Sequence, residues 1–339
     1  MDKQQSTLLK GIAILMMLWY HLFSREEVCE LCTPLLFIGD EPVARMVARA
    51  CYPVSFFLIL SGYGLCCVYR QGRLSVKDQL RRLLRLYIHY WLILLVFVAI
   101  GHFIDPTRYT LDPIHLAANI TGLHCTYNGE TWFLLPYAII CLLAVGFLPL
   151  LLKMGWRQAL LLTIGYAVCF GAMKLFMVKF GEQMIGSYAY IFILQAVFII
   201  NSIFYFVLGI LLFRLLNTTN KIFSHRPPVA VLLFMLVLLV VVKSQFKVTL
   251  ADGIYALLFI LIILHLHLGK RVSAVLTAIG HHSMPMWMTH TFFAVYLFPE
   301  FIYGFRYPLL IFLVLVLVTY IVAFPILSIA RSVIKAIKL

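Results

Sequence analysis

Several polar and ionisable residues lie inside long apolar segments of this sequence, and their side chains are suited to acid–base and anion chemistry. Lys10 and His21 are eleven residues apart in the first apolar segment. In a helix they share one face, ~20° apart around the axis and ~16 Å apart along it. Ionisable groups in a spanning helix are costly, which makes them functional candidates. The alternative is a lysine that extends to the membrane surface and an interfacial histidine beside Trp19 and Tyr20.

Small residues and arginines in the next two apolar segments could bind an elongated anionic ligand. Ser61, Gly62 and Gly64 are small, so a neighbouring backbone or a narrow ligand could approach closely there, and Tyr63 between them is a further binding candidate. Ordinary contact between helices through small residues is the alternative explanation. Three arginines then fall within five residues, among them Arg82 and Arg85. They suit bidentate binding of a phosphate, although a simple positive anchor at the membrane surface explains the same cluster.

Further candidates lie in the ninth apolar segment and at the start of the fourth. Ser283 and His290 are seven residues apart, hence on nearly one helix face, and Pro285 between them frees a carbonyl and kinks the helix. By helix direction, His290 and Trp132 reach about the depth of His21. Ser283, His290 and Trp132 are therefore candidates to stabilise an oxyanion or to position an acceptor.

The composition indicates that these segments cross a membrane. Of the 339 residues, 63% are apolar and 12% are charged, and the mean hydropathy is +1.00. A soluble globular protein is excluded, and unbroken apolar runs exclude the alternating strands of a membrane barrel. We predict an all-α, polytopic membrane protein with ten spans, near residues 7–23, 46–69, 86–104, 131–152, 157–178, 192–213, 228–245, 253–269, 274–298 and 308–330.

The distribution of positive charge predicts the orientation. The net charge of +14 comes from 27 lysines and arginines against 13 acidic residues. With a cytosolic N-terminus, most of the basic residues fall on the cytosolic side, as the positive-inside rule requires. We therefore expect both termini in the cytosol and a first helix that is retained. We also expect one membrane domain over residues 1–339 with no appended soluble domain, and no nucleic-acid partner.

Three cysteines lie in the predicted outer segments, Cys29 and Cys32 in the first and Cys125 in the second. A zinc site would need two further ligands at matching spacing, so we predict no metal site. In an oxidising compartment, a disulfide among the three cysteines is favoured over a metal site.

Five sequence motifs resemble those of the membrane-bound acyltransferase family 3, the integral O-acyltransferases of bacterial cell-surface polysaccharides. In chain order they are KGIAIL-x5-H from Lys10 to His21, FFLILSGYG, RRLLRLY, TWFLL and GHHSMPMWMTH. The resemblance implies transfer of an acyl group, usually acetyl, from cytosolic acyl-CoA to a hydroxyl on the outer side of the plasma membrane. It implies that His21 is the catalytic histidine, that Lys10 stands where many members have arginine, and that Arg82 and Arg85 form the family's R-x-x-R.

The resemblance and the spacing together suggest a mechanism. Lys10, Arg82 and Arg85 would bind the phosphates of acyl-CoA, although a lysine lacks the bidentate fork of an arginine. The thioester arm would pass Ser61 and Gly62, and neutral His21 would act as general base on an acceptor hydroxyl. A covalent acyl-histidine is the alternative mechanism.

Two other classes of function are compatible with a polytopic membrane protein. A transporter or flippase could move an anionic lipid-linked or glycan substrate, but we find no repeated halves and no paired broken helices. A receptor or structural protein would leave the Lys10 and His21 face unexplained. Membrane lipid is an expected partner in every case. The acceptor glycan, the acyl chain and the presence of a homo-oligomer stay open.

Overall fold

The computed structural model describes residues 1–218, 227–245 and 249–339 and is 80% helical. A short antiparallel hairpin joins β1 (Phe37–Ile38) to β2 (Glu41–Pro42). The α-helices are α1 (Lys3–Phe23), α2 (Val28–Leu31), α3 (Val43–Ala50), α4 (Val54–Arg70), α5 (Val76–Ile104), α6 (Pro113–Thr121), α7 (Leu134–Lys153), α8 (Trp156–Met184), α9 (Tyr188–Thr218), α10 (Val229–Gln245), α11 (Thr249–His265), α12 (Lys270–His281), α13 (Ser283–Thr291), α14 (Pro299–Tyr303) and α15 (Pro308–Ala336).

Seven helical segments in the described part of the chain are long and apolar enough to cross a membrane. They are Lys3–Phe23, Val43–Arg70, Val76–Ile104, Gly129–Lys153, Leu161–Met184, Tyr188–Asn217 and Pro308–Ala336. Helices α10 and α11 have 17 residues each, and at ~26 Å they are shorter than the ~30 Å hydrocarbon core. The predicted span 274–298 is divided between α12, α13 and a π-helical turn, Phe292–Tyr296. The all-α, polytopic fold is confirmed, whereas the number of ten spans and their orientation stay predictions.

The chain forms two compact units, each assembled from separate stretches. The first unit contains Met1–Phe57, Arg85–Tyr109 and Thr219–Leu339, and the second contains Leu58–Leu84 and Thr110–Thr218. Helices α4 and α5 therefore contribute residues to both units. The candidate site residues are divided between the two units in the same way.

In the first unit, α1 crosses α12 through two glycines. A Cβ atom on Gly11 would lie 2.0 Å from the carbonyl oxygen of Leu276, and one on Gly280 would lie 1.9 Å from that of Thr7. Only glycine permits this approach of two backbones. The crossing holds the helix that carries His21 against the chain segment that leads into α13.

We expect Gly280→Ala to destabilise the protein, because the new methyl group overlaps a backbone carbonyl and one helix must move. Overpacking of this kind costs ~1–3 kcal/mol, occasionally more. The measurement is the apparent Tm of the purified protein in detergent. Gly146→Ala is the matched control, since no heavy atom of a neighbouring element lies within 4 Å of its Cβ position in the described structure. Equal Tm values for the two variants would contradict the expectation.

In the second unit, α4 crosses α9 in the same manner. A Cβ atom on Gly62 would lie 2.2 Å from the carbonyl oxygen of Phe206, and one on Gly209 would lie 2.1 Å from that of Ile59. Helix α9 therefore covers the face of α4 that contains Gly62.

The segment before α7 is folded around buried polar and aromatic side chains. Asp112 caps α6 by accepting hydrogen bonds from two backbone N–H groups, both at 3.0 Å. The bond from the His115 N–H lowers the pKa of the Asp112 carboxyl. Asn119 and Tyr127 are fully buried, and the Asn119 side chain accepts a hydrogen bond from the Tyr127 N–H. This ordered segment leads directly into Trp132.

Candidate active site

The first unit brings together the two predicted catalytic histidines. His21 lies near the C-terminal end of α1, and His290 lies near the C-terminal end of α13. Their ring centroids are 4.9 Å apart and the ring planes are inclined at 49°. His290 is fully buried, whereas His21 is half-buried. The sequence placed both rings at a similar depth, and the structure shows them in contact.

The hydrogen bond of His290 defines the chemistry of its ring. Nδ1 lies 2.7 Å from the carbonyl oxygen of Trp287, which can only accept. Nδ1 therefore carries the hydrogen, and in the neutral ring Nε2 is the acceptor nitrogen. Neutral His290 is suited to accept a hydrogen bond at Nε2 and not to donate one to an oxyanion. The donor role predicted for His290 is therefore not supported by this geometry.

Ser283 lies at the break between α12 and α13, where its hydroxyl satisfies a backbone carbonyl. Its Oγ donates to the Gly280 carbonyl oxygen at 2.9 Å, and Ser283 is buried. Six residues further, the Thr289 hydroxyl donates to the Pro285 carbonyl oxygen at 2.8 Å. The Ser283 proton is thus used within the helix break, which leaves the predicted oxyanion-donor role without geometric support.

The π-helical turn that follows α13 is held by aromatic contacts. Phe292, its first residue, stacks on Phe97 of α5 with ring centroids 4.5 Å apart and planes at 13°. Arg108 lies over the ring of Tyr296, the last residue of the turn, with its guanidinium carbon 3.9 Å from the centroid. Such turns inside α-helices are frequent at functional sites, and this one begins two residues after His290.

Lys10 and Arg85 also belong to the first unit. Lys10 is half-buried and lies on the same uninterrupted helix as His21, so their ~16 Å axial separation is retained. The Arg85 guanidinium donates to the backbone carbonyl oxygen of Leu339 at 2.7 Å.

The second unit contains a polar cluster around Arg82. The Arg82 guanidinium donates to the Tyr137 hydroxyl oxygen, and its carbon lies 5.7 Å from the centroid of the Tyr137 ring. Ser61 donates to the same hydroxyl oxygen at 3.4 Å, and Arg82 also donates to the side-chain oxygen of Gln79 at 3.5 Å. Sequence reasoning missed Tyr137. The only signal was a polar hydroxyl within the apolar run of α7.

The Arg82 cluster joins the first turns of α5 to α7. The sequence placed Arg82 at the cytosolic end of one span and Trp132 at the outer end of the next. Tyr137, which binds Arg82, is only five residues beyond Trp132, or ~7.5 Å along a helix. Helix α5 has 29 residues and begins at Val76, ten residues before the predicted span. Arg82 therefore lies on α5 itself, in contact with a residue of α7 that is close to Trp132 in the sequence.

Trp132 retains a hydrogen-bond donor. Its ring contacts that of Phe198 at 4.3 Å between centroids, and its side chain is half-buried. Within the part of the chain that the structure describes, its indole N–H makes no hydrogen bond. Ser283 and His290 each have a hydrogen-bonding group directed at a backbone carbonyl oxygen. Trp132 is the third candidate, and its indole N–H is not directed at one in the described structure.

The structure favours the helix-contact explanation for Gly62 and Tyr63. The Gly62 face is filled by the backbone of α9, and the buried Tyr63 ring lies against that of Phe213, 5.6 Å between centroids. Ser61 faces the Arg82 cluster instead. Three residues on, no heavy atom of another described element lies within 4 Å of the Cβ position of Gly64. The open side of α4 near Ser61 is therefore at Gly64, and not at Gly62.

The cysteine and metal predictions receive no direct test. The side chain of Cys29 lies outside the described residues, so a disulfide among Cys29, Cys32 and Cys125 stays a prediction. Among residues 1–218, 227–245 and 249–339, no group of three or more histidine, cysteine or acidic side chains is placed to hold a metal ion.

Comparison with known protein families gave one match. A family model described as an acyltransferase domain matches residues 4–328, which includes all five motifs and nearly the whole chain. Searches of curated proteins and of solved structures found no match.

Proposed function

Because this chain belongs to acyltransferase family 3, we propose that it transfers an acyl group from cytosolic acyl-CoA to a hydroxyl of an extracytoplasmic glycan. The acyl group is acetyl, and the acceptor is a polysaccharide of the cell envelope. In this proposal the protein spans the plasma membrane ten times, with both termini in the cytosol. The family match supports the acyl transfer, and the distribution of lysine and arginine supports the orientation.

His21 is the general base of this proposal, and the contact between His21 and His290 is the observation that carries it. The centroids of the two imidazoles are 4.9 Å apart inside an apolar helical protein. Ionisable groups at membrane depth cost free energy, and where they occur they mark functional sites. One ring nitrogen of His21 takes the proton of the acceptor hydroxyl as its oxygen attacks the thioester carbonyl carbon. The carbon–sulfur bond breaks, and protonated His21 gives that proton to the departing sulfur, so that CoA leaves as the free thiol and His21 is neutral again. An acyl-histidine intermediate is the alternative.

From the sequence motifs, we assign binding of the donor phosphates to Lys10, Arg82 and Arg85, and binding of the donor arm to Ser61. The contacts of Arg82 with Tyr137 and Gln79 hold its guanidinium in one orientation, which reduces the entropy lost when a phosphate binds. Lys10 contributes a point charge without bidentate geometry.

Arg82→Gln is expected to raise the Kd for acyl-CoA by ~10- to 100-fold, because hydrogen bonds to charged groups contribute ~1.5–3 kcal/mol each. Isothermal titration calorimetry on the purified protein measures this change. Arg81→Gln is the matched control: it removes the same charge from the neighbouring, exposed position. If both variants shift Kd equally, Arg82 acts only through its general positive charge.

Turnover in proteoliposomes tests the proposed function directly. With acetyl-CoA and an acceptor glycan, release of the free CoA thiol should depend on both, and mass spectrometry should detect an O-acetylated glycan. Movement of unmodified glycan without CoA release would instead identify a transporter. Comparison of surface glycans from cells with and without the protein would identify the acceptor.

A further inference from the structure

A cavity in the second unit lies on a part of the molecule that acyl transfer does not use. Its volume is about 460 Å³, within the range of small-molecule sites. It is lined by the end of α7 and by facing sides of α8 and α9, mostly with apolar side chains such as Leu162, Ile203 and Val207. Ile200 and Arg214 both line it and lie ~21 Å apart along α9. That length exceeds the ~15 Å of one leaflet's hydrocarbon core.

The cavity is bordered by a face that is suited to lipid. Leu161, Val168, Leu175 and Val178 of α8 are 67 to 83% exposed. A continuous apolar face of this kind on a membrane protein contacts hydrocarbon chains. Behind it, the Tyr166 ring stacks on Phe204 with centroids 4.7 Å apart and forms a flat wall of the cavity.

One end of the cavity is cationic. Arg214 donates to the Met154 carbonyl oxygen at 2.7 Å, which places its guanidinium at the turn between α7 and α8. Lys153 and Arg157 flank that turn and are exposed. The sequence has no acidic residue between Glu130 and Glu182, so no carboxylate on α7 or on α8 before that position balances these charges.

We propose that this cavity binds a membrane phospholipid with an anionic headgroup. One acyl chain lies between α8 and α9, and the phosphate binds Arg214 with Lys153 and Arg157 beside it. The combination of an apolar slot and a cationic end matches a phospholipid, in which an anionic phosphate is joined to a hydrocarbon chain. This site is separate from the proposed transfer reaction.

A second copy of the chain fits this face less well. In a two-fold symmetric dimer the same surface patch meets itself. A contact through α8 would bring the two sets of Lys153, Arg157 and Arg214 toward each other, and like charges at close range are unfavourable. An anionic lipid neutralises the same residues.

The test measures lipid binding by the full chain in detergent, independently of activity. We expect phosphatidylglycerol to raise the apparent Tm and to remain bound in native mass spectrometry. Phosphatidylcholine should do neither. Glycerol phosphate, which has the anionic group but no chains, should not stabilise the protein. Arg214→Gln should weaken phosphatidylglycerol binding at least tenfold, whereas Lys174→Gln, at an exposed position on α8 that does not line the cavity, should leave it unchanged.

The proposal is overturned if both lipids bind equally, if glycerol phosphate alone stabilises the protein, or if Arg214→Gln retains full affinity. A stable dimer that forms without lipid and is lost in Val207→Trp would identify a second copy as the occupant. If Arg214→Gln does not fold, the exposed double variant Lys153→Gln/Arg157→Gln replaces it, with the same tenfold loss expected. Unchanged binding in that variant would equally overturn the proposal.

Discussion

His21→Ala should lower the rate of acceptor-dependent acyl transfer by ~10²–10⁴-fold, the usual contribution of a general base. Acyl-CoA binding should stay near the wild-type Kd, because the imidazole is assigned to proton transfer and not to the phosphates. The loss is therefore expected in kcat. Release of free CoA thiol measures the rate, and calorimetry measures binding on the same preparation.

A second histidine variant separates this effect from general damage to the fold. His265 lies at the end of α11, where its Nδ1 contacts the Leu261 carbonyl oxygen of its own helix at 2.7 Å. His265→Ala should therefore retain wild-type turnover. A well-folded His21→Ala protein with near-normal kcat would remove His21 from the mechanism. Acylation of the His21 peptide by acyl-CoA alone would instead support the acyl-histidine intermediate.

The fold class and the broken helix were predictable because both depend on local sequence. Long apolar runs require helices in a membrane, since lipid offers no partners for backbone groups. Pro285 removes one backbone N–H, and the structure ends α12 at His281 and begins α13 at Ser283. Helix direction and length predicted a shared depth for His21 and His290, but not that their two helices are neighbours and their rings in contact.

The Arg82 cluster was not predictable, because hydropathy shows where an apolar run begins and not where the helix that contains it begins. The predicted span begins at residue 86, where the apolar run begins. The helix itself begins at Val76, because Lys77, Asp78 and Gln79 continue it without a proline or glycine. Arg82 therefore lies on the helix itself, where its side chain reaches Tyr137 of α7.

Gly62 shows why small residues are ambiguous in a single sequence. A glycine in a spanning helix is equally suited to a ligand and to another backbone. Only the tertiary structure shows that the Phe206 carbonyl of α9 occupies this position. Conversely, Tyr137 lacks any pattern of its own and becomes a candidate only through its contact with Arg82.

Acyl-CoA and acceptor should be required on opposite faces of the membrane. The positive-inside distribution places Lys3 and Lys10 at the donor side, whereas helix α1 extends ~16 Å from Lys10 to His21 toward the other face. Glu130 marks that other face in the predicted topology. Acyl-CoA bound at Lys10 therefore enters from one side of the membrane, and the acceptor that reaches the general base His21 enters from the other.

Proteoliposomes of known orientation test this sidedness as an all-or-none result. Acetyl-CoA supplied on the Lys3 side should acetylate a membrane-impermeant glycan supplied only on the Glu130 side. Protease accessibility of an N-terminal tag establishes the orientation, and the reversed supply of both substrates is the matched control, for which we expect no product. Because the glycan never crosses the bilayer, product in the first arrangement requires the acyl group to pass through the protein. Product only when both substrates share one side would contradict transfer along the face of α1 that joins Lys10 to His21, even though the chain would remain an acyltransferase.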